Sequence, residues 1–338
     1  MRHTDRTRLG DTGVEVTRLG LGLAPLGGLY RRVGDEQAYA TLERAWDEGL
    51  RYFDTAPLYG SGLSERRAGR VLSGKPRDEF TLSTKVGRVL RPSADPGPPE
   101  AGSGAAVDHN STIWAEAGDT GPVWDFTADG VLRSYADSLD RLGLDRADVL
   151  HVHDPDEHYG PAVAEALPAL VRLRDQGRIG AVSVGMNQAE MLADLVRTGH
   201  LDSVLLAGRY TLLDQSGLAE LLPLASERGV SVIAAGVYNS GLLADPRPGA
   251  TYDYLPAPEP LLARARAIAA VCARYDVPLR AAAVQFPLAH PAVATVLVGV
   301  RSPEEVADAV TMFGHEIPGQ LWRDLRRAGL LPEEAPLP

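Results

Sequence analysis

Arg51-Tyr-Phe-Asp-Thr-Ala-Pro-Leu-Tyr-Gly60 is a short apolar strand that runs into a loop carrying an acid, Asp54, and a phenol, Tyr59. Two later apolar stretches also end on an ionisable group, one on Lys85 and the other on His153. In a closed β/α barrel the chemistry lies at the carboxyl ends of the parallel strands. The sequence therefore predicts one polar site built from Asp54, Tyr59, Lys85 and His153.

The chain around this stretch alternates short apolar strands with helical segments. Leu19–Leu23 is the first of about eight such units, the number that a closed barrel uses. The strands are apolar throughout, as expected where both faces are covered. Helices are predicted from Asp35 and from Ser64, each residue acting as an N-terminal cap. We predict an α/β fold, a (β/α)8 TIM barrel, formed as one domain over residues 1–338.

Three segments fall outside this alternation. Residues 8–17 predict an N-terminal β-hairpin, because Asp11-Thr-Gly13 is typical of a turn. Residues 88–127 lack periodicity, and loops of that length are usually functional lids or disordered. Trp114 and Trp124 favour a loop folded over the C-terminal face of the barrel, the alternative being a floppy insertion. Residues 332–338 are predicted to be a surface tail.

Composition limits the class of protein. The net charge of -11 and the lack of a Lys/Arg run argue against nucleic-acid binding. The single cysteine, Cys272, excludes an intrachain disulfide. No apolar run approaches the ~20 residues of a membrane span, and the polar N-terminus does not resemble a signal peptide. We expect a cytoplasmic protein, and the family resemblance given below implies that it acts on a small molecule, as a monomer or homodimer.

The four ionisable residues suit proton transfer beside a hydride carrier. A phenol has a pKa of ~10, and the Lys85 ammonium is expected to lower the pKa of Tyr59. Asp54 would hold Lys85, and His153 would donate a hydrogen bond to a substrate oxygen.

Each of these residues also has an ordinary alternative. Asp54 could cap a turn, Tyr59 could be a loop aromatic, and Lys85 could be solvated. His153 could bind a metal together with His151 and His158. We favour chemistry without a metal, and we expect His151 to point away from the neighbours of His153, on the argument that side chains alternate along a strand.

Phe53-Asp-Thr-Ala-Pro-Leu-Tyr-Gly60, followed by Ser64-Glu65, resembles the signature of the aldo-keto reductase superfamily. The resemblance extends from the N-terminal hairpin to Arg301-Ser302. It implies a β/α barrel that binds NAD(P)H at its C-terminal face and transfers hydride without a metal. It also implies a catalytic tetrad of Asp54, Tyr59, Lys85 and His153.

The resemblance assigns cofactor contacts as well. Asn187 would hold the nicotinamide carboxamide, and a Gly-rich stretch from Gly236 would lie along the pyrophosphate, the alternative being an ordinary turn. A segment beginning at Val298 would receive the adenosine half. The implied pyrophosphate and adenosine residues are Gly236, Asn239, Ser240, Gly241, Leu242, Gly299, Arg301, Ser302 and Glu305.

Glu305 and Gly299 stand where NADP-selective members of the family place basic residues. A carboxylate there would repel a 2′-phosphate, which favours NAD. Arg301 argues in the opposite direction, and NADP stays the alternative.

The run His153-Asp-Pro-Asp156 and the run Tyr238-Asn-Ser-Gly-Leu-Leu243 resemble the branch of sugar and pyridoxal dehydrogenases. The resemblance implies oxidation of the C1 hydroxyl of an aldose, of the L-fucose or D-threo type, to a lactone. Alternatives are a pyridoxal dehydrogenase, a general NADPH-dependent aldehyde or ketone reductase and, remotely, a redox-sensing regulatory subunit. Candidate substrate-binding residues are Tyr30, Trp114, Trp124 and Asp154.

Overall fold

The computed structural model describes residues 1–92, 113–116 and 120–338 of the chain. Its strands are, in chain order, β1 (Arg6–Arg8), β2 (Glu15–Thr17), β3 (Leu19–Gly22), β4 (Tyr52–Asp54), β5 (Thr81–Val86), β6 (Arg88–Pro92), β7 (Thr120–Trp124), β8 (Val149–His153), β9 (Ala181–Met186), β10 (Ser203–Ala207), β11 (Ser231–Ala235), β12 (Thr251–Tyr252), β13 (Leu255–Pro256) and β14 (Val293–Gly299).

Eight of these strands close into a barrel in the order β3-β4-β5-β8-β9-β10-β11-β14. Every neighbouring pair is parallel, and β14 pairs with β3 to complete the ring. The predicted (β/α)8 TIM barrel is confirmed. All eight carboxyl ends therefore open on the same face.

Helices alternate with the barrel strands. They are α1 (Asp35–Asp47), α2 (Leu63–Leu72), α3 (Ala128–Leu142), α4 (Tyr159–Pro161), α5 (Leu167–Asp175), α6 (Ala189–Arg197), α7 (Leu221–Arg228), α8 (Glu259–Ala273), α9 (Leu279–Gln285), α10 (Pro303–Phe313) and α11 (Gly319–Arg327). Among the residues described, no helix is both long enough and apolar enough to cross a membrane.

The two predicted helix caps are wrong. Asp35 lies inside the first turn of α1, and its carboxylate pairs with Arg67 at 2.7 Å. Ser64 also lies inside a helix, because α2 begins at Leu63. Its hydroxyl donates to the carbonyl of Leu23 at 2.9 Å, which ties α2 to the end of β3. In both cases a tertiary partner replaces the local cap that the residue type favours.

The N-terminal hairpin of β1 and β2 has the predicted antiparallel pairing. Its Leu9, Val14 and Val16 are buried in one cluster with residues that begin barrel strands, among them Tyr52 and Val149. The hairpin therefore packs against the amino end of the barrel, which leaves the carboxyl end for ligands.

Part of the segment 88–127 is regular, contrary to expectation. β6 and β7 form an antiparallel pair in which Arg88 lies opposite Trp124. Ile113 accepts a hydrogen bond from the amide of Tyr30 at 2.9 Å, and Glu116 lies 3.5 Å from Arg67. The prolines in both strands obscured the alternation. Residues 93–112 and 117–119 of this predicted loop lie outside the described residues.

Two further elements were not expected from the sequence. β12 and β13 form a short antiparallel pair near the barrel mouth, and α11 buries Leu321, Trp322 and Leu325. Residues 332–338 contain no helix or strand, as expected, but Ala335 is buried and its carbonyl accepts from Arg326 at 2.5 Å. The tail is thus packed rather than wholly on the surface.

Candidate active site

A buried ion pair lies where β4 and β5 end. Lys85 donates to Oδ2 of Asp54 at 2.6 Å and to the carbonyl of Thr55 at 2.9 Å. The hydroxyl of Ser83 donates to Oδ1 of Asp54 at 2.7 Å. Asp54 and Ser83 are register partners in neighbouring strands, so the barrel itself sets this geometry. The Lys85 ammonium is held by the carboxylate, as expected.

Tyr59 lies in the turn after β4, with its ring centroid 4.8 Å from Nζ of Lys85. The turn packs closely on the loop after β3, since a Cβ on Gly60 would lie 2.2 Å from the carbonyl oxygen of Gly27. Gly60 also has a φ of 62°, which glycine adopts without steric cost. Position 60 therefore needs glycine for Tyr59 to face the site.

Burial raises the pKa of the Tyr59 phenol well above its usual value, and the carboxylates of Asp54 and Asp154 raise it further. Arg88 acts in the opposite direction. The sequence led us to expect a pKa lowered by Lys85, whereas the pKa of Tyr59 is raised on balance because burial is the largest effect. The charge of Lys85 is compensated by Asp54 at hydrogen-bond distance, so little of it is left to favour a phenolate.

His153 ends β8 and faces the same site. Its ring lies edge-on to the ring of Tyr59, with centroids 6.0 Å apart. Burial, followed by the charges of Arg88 and Lys85, holds the pKa of His153 well below its usual value. The imidazole is therefore neutral at neutral pH, which leaves one ring N–H for a substrate oxygen.

His151 faces into the barrel beside the ion pair, and the expectation that it points away is wrong. Residues two apart on a strand share a face, and Nε2 of His151 lies 3.5 Å from Oδ1 of Asp54. Burial and the charge of Lys85 lower the pKa of His151 well below its usual value. His158 stacks on Trp124 at the wall of the cavity that His153 also lines. Within the described ranges, no three His, Cys, Asp or Glu side chains group as a metal site would require.

A first cavity of about 500 Å³ opens above these residues. The proposed substrate residues Trp114, Trp124 and Asp154 line it, and so does Asn187. The ring of Trp114 lies 5.4 Å from that of Tyr59 and covers it. Tyr30 does not line this cavity.

A second cavity of about 660 Å³ runs from Tyr59 toward α10. Tyr59 lines both cavities, which therefore meet at its ring. Three residues assigned to the cofactor do not line the second cavity. Asn187 lines the first one, Leu242 is fully buried in the core, and the hydroxyl of Ser302 accepts from the amide of Glu305 at 3.3 Å to cap α10. The assigned cofactor residues that do line it are Gly236, Asn239, Ser240, Gly241, Gly299, Arg301 and Glu305, and the candidate substrate residue Tyr30 lines it as well.

The donors of the second cavity fit a nicotinamide dinucleotide. Arg301 lines it, as does Arg280, which is paired with Asp308 at 2.9 Å, and the hydroxyl of Tyr238 is buried without a hydrogen-bond partner among the described residues. Gly236 and Ser240 adopt left-handed backbone conformations, and both residues line this cavity. An anionic, hydroxyl-rich ligand would satisfy these groups.

Glu305 is itself engaged by basic groups at the far end of this cavity. Its carboxylate accepts from the backbone amide of Arg301 at 2.7 Å and lies 3.6 Å from the guanidinium of Arg31. The local charge is therefore mixed, and Arg31 joins the Arg301 that the sequence already set against Glu305.

Arg88 and Tyr254 also belong to the site but did not stand out in the sequence. Arg88 follows Lys85 by three positions and is almost wholly buried. Tyr254 lines both cavities and its ring lies 6.0 Å from that of Tyr30. Neither residue belongs to a motif, and only the pairing of β6 with β7 and of β12 with β13 brings them to the mouth.

These features define a β/α barrel with a Tyr, Lys, Asp and His set where two cavities meet. The model of the Aldo/keto reductase family matches residues 18–329, and the chain belongs to this family, whose members use nicotinamide cofactors. It is an enzyme, an oxidoreductase of the aldo-keto reductase type.

Relatives of known activity are similar over nearly the whole chain. A D-threo-aldose 1-dehydrogenase from a Pseudomonas species is 44% identical, with 95% of this chain and 96% of the relative covered. A pyridoxal 4-dehydrogenase from Microbacterium luteolum is 42% identical, with 98% and 99% covered. The predicted family and branch resemblance are confirmed.

Among solved structures, an aldo-keto reductase from Bacillus halodurans in its holo form aligns with a TM-score of 0.73. It is 23% identical, and 96% of each chain is covered. This likeness supports the fold.

Proposed function

We propose that this enzyme oxidises the C1 hydroxyl of an aldose to a lactone, with NAD as the hydride acceptor. The meeting of the two cavities at Tyr59 carries the proposal, because it brings a proton-transfer group between a substrate space and a dinucleotide space. The two relatives above, one of which is named for an aldose, support the choice of substrate class. We also propose that residues 1–338 form one domain.

His153 and Tyr59 have different roles in the proposed reaction. Bound NAD supplies the hydride acceptor. His153 donates its ring N–H to the reacting oxygen and so orients it. Tyr59 exchanges the hydroxyl proton, and its burial makes the protonated phenol the resting form. Oxidation therefore requires loss of that proton first, a step favoured by alkaline pH.

The Asp54–Lys85 pair fixes the floor of the site, and Trp114 packs against the Tyr59 ring. Positioning of this kind reduces the entropy lost on reaching the transition state. Asn187 lines the substrate cavity, and in our proposal it binds the nicotinamide carboxamide.

The preference for NAD rests on Glu305, whose carboxylate would repel a 2′-phosphate. Arg301 and Arg31 oppose this argument, because both lie within reach of the same region. NADP is therefore the alternative cofactor. Oxidation of pyridoxal is the alternative reaction, supported by the 42% identical relative, and general reduction of aldehydes with NADPH is a third.

Nicotinamide absorbance of the purified enzyme tests these proposals. NAD and NADP are supplied separately with L-fucose, D-arabinose, L-galactose or pyridoxal, and NADPH with an aromatic aldehyde. We expect NADH formation with at least one sugar. Tyr59→Phe should lower kcat on the order of 100-fold or more, because it removes the proton-transfer group.

Activity confined to pyridoxal would replace the aldose by the second substrate class. Oxidation of NADPH by the aromatic aldehyde, without reaction of any sugar, would overturn both the substrate and the Glu305 argument.

A further inference from the structure

Arg88 is the first residue of β6 and is only 2% exposed, yet it lines the substrate cavity. Its guanidinium carbon lies 4.2 Å from the ring centroid of Trp124. Burial of a guanidinium is costly unless its N–H groups are directed to acceptors. The stacked ring therefore fixes the plane of a charged group at the place where substrate enters.

One arm of Arg88 reaches the imidazole of His153. Nη1 lies 3.1 Å from Nδ1 and 3.3 Å from Nε2. A guanidinium only donates hydrogen bonds, and the imidazole of His153 also lies 3.5 Å from the carboxylate of Asp154. Arg88 and Asp154 therefore both contact the ring of His153.

The other arm reaches Asp154, since Nη2 donates to Oδ2 at 3.0 Å. Asp154 has a left-handed backbone with φ 42°, and its amide donates to the carbonyl of Gly185 at 3.0 Å. A non-glycine residue in this conformation is strained and persists where its surroundings hold it. The position of this carboxylate is thus set by the barrel.

We propose that Arg88 and Asp154 together bind the hydroxyl on the carbon next to the reacting carbon of the substrate. This inference rests on the proposed function and names the group by which the site selects a 2-hydroxy aldose. A hydroxyl donates one hydrogen bond and accepts others, so a carboxylate and a guanidinium beside each other satisfy both of its roles.

The spacing supports this assignment. Tyr59 and His153 face the reacting oxygen, and Arg88 lies one hydrogen bond from His153 and one from Asp154. The Arg88–Asp154 pair therefore lies directly beside the imidazole that is proposed to hold the reacting oxygen. Both pairs line one cavity.

A site built to bond a substrate hydroxyl favours the substrate that carries it over the analogue that lacks it, because the analogue forgoes those hydrogen bonds. We compare an aldose with its 2-deoxy analogue and take the ratio of their kcat/KM values. The ratio is measured within one preparation, so the fraction of folded enzyme cancels. The wild-type ratio is expected to be on the order of 100 or more.

Arg88→Met should reduce this ratio at least ~10-fold, by lowering kcat/KM for the aldose much more than for the 2-deoxy sugar. Asp154→Asn should change it in the same direction. Arg88→Lys keeps a positive charge near His153 but loses the planar set of N–H donors of the guanidinium, and should also reduce the ratio. Arg91→Met, on the same strand, is the matched control and should leave the ratio unchanged.

An equal loss with both sugars in Arg88→Met and Arg88→Lys would overturn the inference and leave Arg88 acting only through His153. A wild-type enzyme that does not prefer the hydroxylated sugar would overturn it as well. If no aldose is oxidised, the proposed function fails. The same ratio is then taken for reduction of glycolaldehyde and acetaldehyde, which differ by the same hydroxyl.

Discussion

Asp54 is the acceptor on which the floor of the site depends. Its carboxylate accepts hydrogen bonds from Lys85 and Ser83 and has His151 as a third neighbour. Both charged partners are nearly inaccessible to solvent, with side-chain exposures of 2% for Lys85 and 5% for Asp54. Removing one charge from such a pair leaves the other charge buried, with neither a partner nor hydration.

Lys85→Met should therefore lower the free energy of unfolding by about 3–5 kcal/mol, because Asp54 is left buried and unpaired. The double variant Asp54→Asn, Lys85→Met should recover most of that loss while remaining inactive. Urea denaturation followed by circular dichroism measures both. A double variant as unstable as the single one would show that the packing of the lysine stem, not its charge, is what the fold requires.

Contacts between whole helices and strands place the site residues. Helix α2 directly follows the turn that carries Tyr59. The close packing of α2 on α3 therefore fixes the position of that turn. The closest point is Gly69, where an added Cβ would lie 2.1 Å from the carbonyl oxygen of Leu142. The pairing of β6 with β7 acts similarly on the other side and brings Arg88 onto Trp124.

Gly69→Ala is expected to lower the free energy of unfolding by about 1–3 kcal/mol through overpacking against the α3 terminus. This loss outweighs the ~0.5–1 kcal/mol that alanine contributes over glycine inside a helix. Thermal denaturation of the variant and of Gly74→Ala gives the comparison. Gly74 has ordinary space, with its nearest contact at 3.5 Å, and should change stability by less than ~0.5 kcal/mol. Similar shifts in the two variants would contradict the role of the close approach.

Over the molecule as a whole, the barrel encloses histidines that stay neutral. Burial lowers the pKa values of His151, His153 and His290. A histidine with a depressed pKa resists protonation in the folded state, whereas the unfolded chain takes up the proton near pH ~6.5. The stabilisation is complete above that pH and is lost as the pH falls below it.

His151→Leu isolates one such group, because the other histidines contribute equally to both proteins. We expect the free energy of unfolding of the wild type to fall relative to the variant by up to ~1.4 kcal/mol per pH unit below pH ~6.5. Denaturant titrations at about pH 7.5, 6.5 and 5.5 measure this difference. Curves that stay parallel across the range would show that folded His151 is protonated as readily as in the unfolded chain.

The barrel and its tetrad follow from local sequence signals. The spacing of apolar residues differs between strands and helices because it reflects which faces are buried. This spacing is a property of the sequence, so the alternation of strands and helices can be predicted from it. The carboxyl ends of parallel strands share one face, so ionisable residues at those ends come together whatever the loops do. Asp54, Lys85 and His153 are therefore predicted to share one site from the sequence alone.

Other properties were decided only by the tertiary structure. The protonated state of Tyr59 depends on how deeply the loops bury it, and the mixed charge at Glu305 depends on Arg31, which is distant in sequence. Arg88 reaches His153 because β6 pairs with β7 across a long insertion, and no local pattern encodes that register. Burial and pairing between distant segments set pKa values and side-chain contacts, whereas periodicity sets only the elements that carry them.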